Sequence, residues 1–380
     1  MDYAASSLRL HQKYRGKISL KLKVPLKNKK DLAIAYTPGV GAVATAIYKD
    51  KKKSWQLTNR ANQVAIVSDG SAVLGLGNLG PEAAMPVMEG KAAIFKAFAD
   101  IDAIPLCIDT QEPEEIINFC KRLEPSFAGI NLEDIAAPRC FEVLGRLEEE
   151  LTIPVFHDDQ DGTAIVVLAA LINACRLTKK NFKKLQVVIS GAGAAGLAIA
   201  RLLIRQGVKE LLLVDSCGLI YEGRLKLNQI KAEISCQTNS KKIKGDLGEA
   251  LKGADVFIGV SKANLLTKEM IKKMARQPII FAMANPVPEI MPALALEAGA
   301  AIVGTGRSDF PNQINNALVF PGIFRGLLDG KIRKVTVEMK IAVAKALANS
   351  LQPQKNKILP LVTDRRTVAV IARSIKKFNK

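Results

Sequence analysis

Histidine is nearly absent from this chain of 380 residues, which holds only His11 and His157. Two histidines cannot build a three-histidine zinc site or an HExxH motif, so any metal held by one chain would be held mainly by oxygen. The six cysteines, at 107, 120, 140, 175, 217 and 236, stand at least thirteen residues apart and form no CxxC. That excludes zinc-ribbon spacing and predicts reduced thiols in a cytoplasmic protein. Aromatic residues make up 5% of the chain, with Trp55 the single tryptophan. They do not interleave the basic runs as a base-stacking platform requires. The best uncharged stretches, Thr163 to Cys175 and Leu185 to Ala200, fall short of the roughly 20 residues that cross a bilayer. Residues 1–20 contain no continuous apolar segment of the kind that marks a secretory signal. Neither a membrane span nor a secreted disulfide framework is expected.

What is abundant is positive charge: 55 Lys and Arg against 36 Asp and Glu, a net of +19. Residues 1–55 hold thirteen of the cations against Asp2, Asp31 and Asp50. Further clusters are Lys179, Lys180, Lys183 and Lys184, then Lys241, Lys242 and Lys244. Such charge raises the local anion concentration and can hold nucleic acid without specificity. Without aromatic interleaving it reads as a solvated surface, and no specific nucleic-acid partner is expected.

Hydrophobic residues are 48% of the chain, enough for a large core, and the length suits two or three domains. From about residue 60, short apolar runs (Val64–Val67, Ile104–Ile108, Phe127–Ile130, Val155–Phe156) alternate with helical spacing at Pro113–Leu123 and Pro138–Leu151. A second series follows at Val187–Ile189, Leu211–Val214, Val256–Ile258, Ile279–Phe281 and Ala301–Val303. This is the rhythm of parallel strands joined by crossover helices, covered on both faces. The pattern predicts an N-terminal α/β domain over 1–156 and a doubly wound parallel sheet over 157–330. A helical tail over 331–380 follows, with helices at Val335–Leu351 and Arg365–Phe378.

Val187-Val188-Ile189-Ser190 runs into Gly191-Ala192-Gly193-Ala194-Ala195-Gly196 and then an apolar helix. GxGxxG between strand and helix is the Rossmann dinucleotide fingerprint: a tight turn, a close approach to the pyrophosphate, and close helix–strand contact. The helix N-terminus offers N–H donors to phosphate. Nineteen residues past Gly196 stands Asp215, placed to accept the ribose hydroxyls and repel a 2′-phosphate. NAD is therefore expected ahead of NADP, although Arg224 and Lys226 would work the other way if their loop folds back.

Asn131-Leu132-Glu133-Asp134 and His157-Asp158-Asp159 each follow a predicted strand, where open α/β sheets place ligands. Glu133, Asp134 and Asp159 offer three hard oxygens to Mg²⁺ or Mn²⁺; the same pattern also fits helix caps or solvated loops. In the helix predicted over Pro86–Phe98, Lys91 shares a stripe with Met88, Phe95 and Phe98. Desolvation there lowers a lysine pKa and prepares a base, unless the stem carries the ammonium out to water. Tyr36 stands in a Pro-Gly loop, Asn285-Pro286 reads as a turn, and Asn315-Asn316 reads as a helix surface.

Together these segments resemble the malic enzyme family in its short bacterial form. The resemblance spans nearly the whole chain. It rests on Ala35-Tyr36-Thr37-Pro38-Gly39-Val40, Asp69 to Gly77, Glu89-Gly90-Lys91-Ala92, Asn131 to Asp134, Asp158-Asp159-Gln160, the glycine loop, Ala284-Asn285-Pro286 and Asn315 to Gly322. It implies oxidative decarboxylation of (S)-malate to pyruvate and CO₂ with NAD or NADP and Mg²⁺ or Mn²⁺, by a homodimer. Lys91 would be the base at the C2 hydroxyl, Tyr36 the acid that protonates C3, and Glu133, Asp134 and Asp159 the metal ligands. Asn285 and Asn315 or Asn316 would bond cofactor and substrate carboxylate. A related non-redox decarboxylation of malate to lactate would share these motifs, whereas a basic dinucleotide sensor would not need them. One departure is Asp161, where short members usually carry His; an added carboxylate there would alter metal affinity or pH optimum. Ala72 stands where the larger eukaryotic type has Arg.

Overall fold

A computed structural model describes residues 3–379; Asp2, counted above among the N-terminal charges, lies outside them. Four parallel strands, β1 (Gln63–Ser68), β2 (Asp102–Cys107), β3 (Gly129–Leu132) and β4 (Val155–His157), form a sheet in the order β2-β1-β3-β4. Six more form a second sheet: β5 (Gln186–Ser190), β6 (Glu210–Asp215), β7 (Gly218–Leu219), β8 (Val256–Gly259), β9 (Ile279–Ala282) and β10 (Ile302–Thr305). Their order is β10-β9-β8-β5-β6-β7, parallel except for β7. This is the expected α/β architecture with a Rossmann-type, doubly wound second sheet.

Each strand is apolar along its whole length because both of its faces are covered. Val187 and Ile189 enter one core while Val188 enters another, and Ile258 and Phe257 divide the same way. In the first sheet Val64 and Ile66 face the core shared with the second sheet, whereas Ala65 and Val67 face a separate one. Two local expectations shift. β3 begins at Gly129, paired with Val64, two residues beyond the apolar start at Phe127, so Glu133 follows the last strand residue directly. The helix expected from Pro86 begins at Pro81, behind Gly80, and runs to Ala99 with Pro86 inside it. Pro81 is tolerated because the first turn leaves its N–H groups without helical partners anyway, whereas Pro86, the sixth residue, forgoes the bond its N–H would make to the Glu82 carbonyl. Ala99, rather than Phe98, completes the buried stripe with Met88, Lys91 and Phe95.

The helix Thr163–Thr178 carries eleven buried residues. Joined to the turn before it, it makes a helical segment of 21 residues, long and apolar enough for a membrane span but mostly buried in protein. The tail helices Val337–Ala348 and Arg366–Lys376 pack on it and on the helix Phe320–Asp329. That last helix joins the two sheets. Phe324 meets Phe95 edge-on at 5.3 Å and Phe156 at 6.1 Å, and Phe320 lies 4.7 Å from Phe95. The N-terminal segment behaves differently: its helices Tyr3–Tyr14, Lys29–Ala35, Val40–Lys49 and Ser54–Leu57 contain no buried residue. Phe324→Ala would open a cavity against the first sheet, beside Phe95, Phe156 and Gly129. It should cost about 3–5 kcal/mol, read as a lower denaturant midpoint with an unchanged slope.

Candidate active site

One cavity of about 730 Å³ receives the carboxyl ends of both sheets. Leu74 follows β1, Glu133 and Asp134 follow β3, and Asp159 follows β4. From the second sheet come Ala195, Val260, Ala284 with Asn285, and Gly306, following β5, β8, β9 and β10. The rule that open α/β sheets bind ligands beyond their strand ends thus operates twice on one space.

Lys91 lies on its wall, 7% exposed, because the helix Pro81–Ala99 turns its apolar stripe inward. Its Nζ donates to Asp158, lies 2.6 Å from Glu133 Oε2, and sits 4.4 Å from the centroid of the Phe320 ring. The lowered pKa expected from desolvation is not what these neighbours produce. Burial does favour the neutral amine, but attraction from Asp158, Glu133 and Asp159 and the hydrogen bond to Asp158 outweigh it, so the pKa is raised. The sequence reading of Lys91 missed these partners because the side chains that meet it lie 42 and 67 positions further along the chain.

Glu133, Asp134 and Asp159 bring one carboxylate oxygen each within 4.8 Å of the others. Asp134 takes φ +53, a left-handed conformation of the kind stored at functional sites, and its N–H donates to Asp159 Oδ2 at 2.9 Å. Burial pushes the Asp134 carboxyl up to about 8, with repulsion from Asp159 adding to it. Burial likewise raises Glu133, against the pull of Lys91, and lifts Asp158 to about 6. Asp134 Oδ2 is buried without a hydrogen-bond partner. Three crowded anionic oxygens, one of them unpartnered, fit a hard divalent cation. Such charge would also draw on Glu133 and weaken its hold on the Lys91 ammonium. Asp161 does not join them. Two positions past Asp159 on a helical turn, it projects elsewhere and pairs with Lys340 Nζ at 2.7 Å.

The glycine loop has the geometry its motif predicts. Gly191 holds φ +111, and a Cβ on Gly196 would fall 1.8 Å from the Gly191 carbonyl oxygen. At Gly193 nothing stands within 4 Å of a Cβ position, which leaves room for a phosphate beside the N-terminus of the helix Ala194–Gln206. Asp215 ends β6 as expected but is not a bare carboxylate. Arg224 bonds it through both terminal nitrogens at 2.9 and 2.5 Å, and Lys231 Nζ donates at 2.8 Å. Burial raises its pKa, yet these cations and the Cys217 N–H more than reverse that and hold it well below the usual carboxylate range. The loop does fold back; Arg224 was anticipated, while the second cation is Lys231 rather than Lys226.

Asn285, Asn315 and Asn316 line the cavity, as do Ser7, His11 and Lys17 from the N-terminal segment, which sequence reasoning passed over. Lys17 Nζ donates to the Pro86 carbonyl at 2.5 Å. Tyr36 is not brought in: it ends the helix Lys29–Ala35, is 65% exposed, and does not line the cavity.

Asp159→Ala should weaken Mn²⁺ binding by roughly tenfold or more, measured by calorimetry without substrate. Because burial pushes the Asp134 carboxyl up to about 8 and a bound cation requires the anion, affinity should fall as pH drops from 8 to 6. Binding in that window should release protons, seen as a heat that depends on the buffer. Unchanged affinity in the variant would remove Asp159 from the cluster.

The chain matches "Malic enzyme, N-terminal domain" over residues 15–148 and "Malic enzyme, NAD binding domain" over residues 160–378. It is 51% identical to the bifunctional malic/malolactic enzyme of Bacillus subtilis, over 99% of this chain and 93% of that one. It is 47% identical to the NADP-dependent malic enzyme of Salmonella typhimurium, over 90% of this chain but 46% of that longer one. Among solved structures, the NAD-dependent malic enzyme of Thermotoga maritima superposes with a TM-score of 0.94 at 52% identity, covering 97% of this chain and 98% of that one. With both family descriptions matched in order and the fold shared along its length, the chain belongs to the malic enzyme family.

Proposed function

We propose that this protein oxidatively decarboxylates (S)-malate to pyruvate and CO₂ with reduction of NAD or NADP, in the cytoplasm, with Mg²⁺ or Mn²⁺. The observation that carries this reading is a buried lysine beside a hard-oxygen triad in the cavity that also receives the glycine loop. Glu133, Asp134 and Asp159 would hold the cation, which would supply Lewis-acid stabilisation of the negative charge that develops on the substrate oxygen. Lys91, in the neutral form it reaches once Glu133 is drawn off to the cation and the ammonium has released its proton, takes the C2 hydroxyl proton as hydride departs. Backbone N–H groups from Gly193 to Gly196, with Ala194 and Ala195, hold the pyrophosphate. Asn285, Asn315 and Asn316 offer amides to the cofactor and the substrate carboxylate. All six cysteines are free, in keeping with a reducing compartment.

Tyr36 remains the acid at C3 in this reading, acting in the site of a second copy within a homodimer. Its exposure supports this, as do exposed apolar side chains along the same segment, among them Leu20, Ile34 and Tyr48. A surface of this kind marks an interaction face. Lys91→Ala and Tyr36→Phe should each lose about 10²–10⁴-fold in malate oxidation. Tyr36→Phe should still reduce added oxaloacetate with NADH, and Lys91→Ala should not. Unfolded together and refolded, the two inactive variants should regain about a quarter of wild-type turnover, since mixed two-fold dimers carry one intact site. No regain would place Tyr36 in its own chain's site.

Cofactor choice follows from Asp215. A carboxylate held by Arg224 and Lys231 no longer repels a 2′-phosphate, and those cations stand ready for one. The enzyme accepts both cofactors. Lys231→Ala should lower kcat/KM for NADP roughly tenfold or more, with a far smaller effect on NAD. Decarboxylation to lactate is a second reading, favoured by the likeness to the bifunctional malic/malolactic enzyme of Bacillus subtilis. Product analysis for pyruvate with NADH, against lactate, decides between them.

A further inference from the structure

Asp161, the departure from the family pattern, leads away from the metal cluster to another cavity. It measures about 450 Å³ and lies among the helices Arg139–Glu150, Ala194–Gln206 and Val337–Ala348. Asp161 is 8% exposed. Its Oδ1 meets Lys340, while its Oδ2 is buried without a hydrogen-bond partner. Glu148 Oε1, in the same lining, is also buried and unpartnered. Gln160 does not serve them, because its Nε2 donates to the Cys140 carbonyl at 3.2 Å. Two idle carboxylate oxygens inside one cavity are costly unless something donates to them.

The charges along the cavity are ordered. The inner lining sets Asp161 and Glu148 against Lys340; burial pushes the Glu148 carboxyl up to about 7, so the excess negative charge is partial at neutral pH and complete above it, and Lys334 acts on Glu148 from outside the lining. The exposed rim sets Arg201 and Arg205 against Glu233, an excess of one cation. Arg201 is fixed by its place over the Phe141 ring, at 5.5 Å. A complementary molecule is positive within and negative at the mouth.

We propose that this cavity binds a small zwitterion of the amino-acid class, its ammonium on Asp161 Oδ2 and Glu148 Oε1 and its carboxylate toward Arg201 and Arg205. An ammonium supplies three donors to the two idle oxygens. A metal ion is opposed by Lys340 at 2.7 Å from Asp161, and a simple anion by the two inner carboxylates. The proposal is independent of the reaction assigned above, since binding is read without turnover.

Calorimetry on the full chain, with malate and Mg²⁺ filling the first cavity and no dinucleotide, would use glycine, 4-aminobutyrate and L-glutamine. These differ in the separation of ammonium and carboxylate. At least one should bind with Kd of about 1 mM or tighter. Propylamine and butyrate, carrying one charge each, should bind at least about tenfold more weakly. Asp161→Asn and Arg205→Ala should each weaken the best probe by a similar factor. Because Asp161→Asn strands Lys340, the pair Asp161→Asn with Lys340→Met provides a variant without a lone buried ammonium, and Arg205 lies on the surface where folding is indifferent to it. Failure of all three zwitterions to bind overturns the proposal, as does binding untouched by both Asp161→Asn and Arg205→Ala: the cavity then holds only water.

Discussion

The ammonium of Lys91, buried against Phe320 between Glu133 and Asp158, is the interaction around which the molecule is arranged. Taking such a charge out of water costs several kcal/mol unless counter-ions and hydrogen bonds meet it. Each group that meets it comes from a different part of the chain. The helix Pro81–Ala99 presents the lysine, the turns after β3 and β4 present the carboxylates, and the ring comes from the helix that joins the first sheet to the second. A displacement of any one of these elements would leave a buried charge unmatched. The phenylalanine cluster beneath, linking Phe95, Phe156, Phe320 and Phe324, supplies the stiffness that keeps them in place.

The same ion pair sets the electrostatics of the neighbouring carboxylates. Glu133 belongs to two sets at once, as partner of Lys91 and as one corner of the oxygen triad. With only one lysine among Glu133, Asp134, Asp158 and Asp159, burial and mutual repulsion hold the first three above the ordinary carboxylate range. Positive charge arriving among them is therefore strongly favoured, and its arrival loosens the lysine. The proton affinity of Lys91 and the affinity of the three oxygens for positive charge are two readings of one charge balance.

Much of this was legible in the sequence. The apolar runs at Val64–Val67 and Val187–Ile189 reported strands covered on both faces, and the glycine loop behaved as its spacing requires, from the turn at Gly191 to the close packing at Gly196. The limits were local. Phe127 and Ala128 are buried ahead of the paired register, Ala128 reaching β1 only through its N–H on the Gln63 carbonyl at 2.8 Å, so apolar content placed the start of β3 two residues early. The strand β7 spans Gly218 and Leu219, too short to produce any alternation.

The amino-acid sequence by itself determined the fold class and the dinucleotide loop, because periodicity, turn chemistry and strand ends are properties of neighbouring residues; that Asp159 meets Glu133 and Asp134 was decided by the pairing of their two strands. Tertiary structure alone decided the charge state of Lys91, the neutralisation of Asp215 by Arg224 and Lys231, the turning of Asp161 toward Lys340, and the exposure of Tyr36. Each of those depends on which distant side chain arrives within a few ångströms. Electrostatic energy follows that separation in space, and spacing along the chain does not encode it.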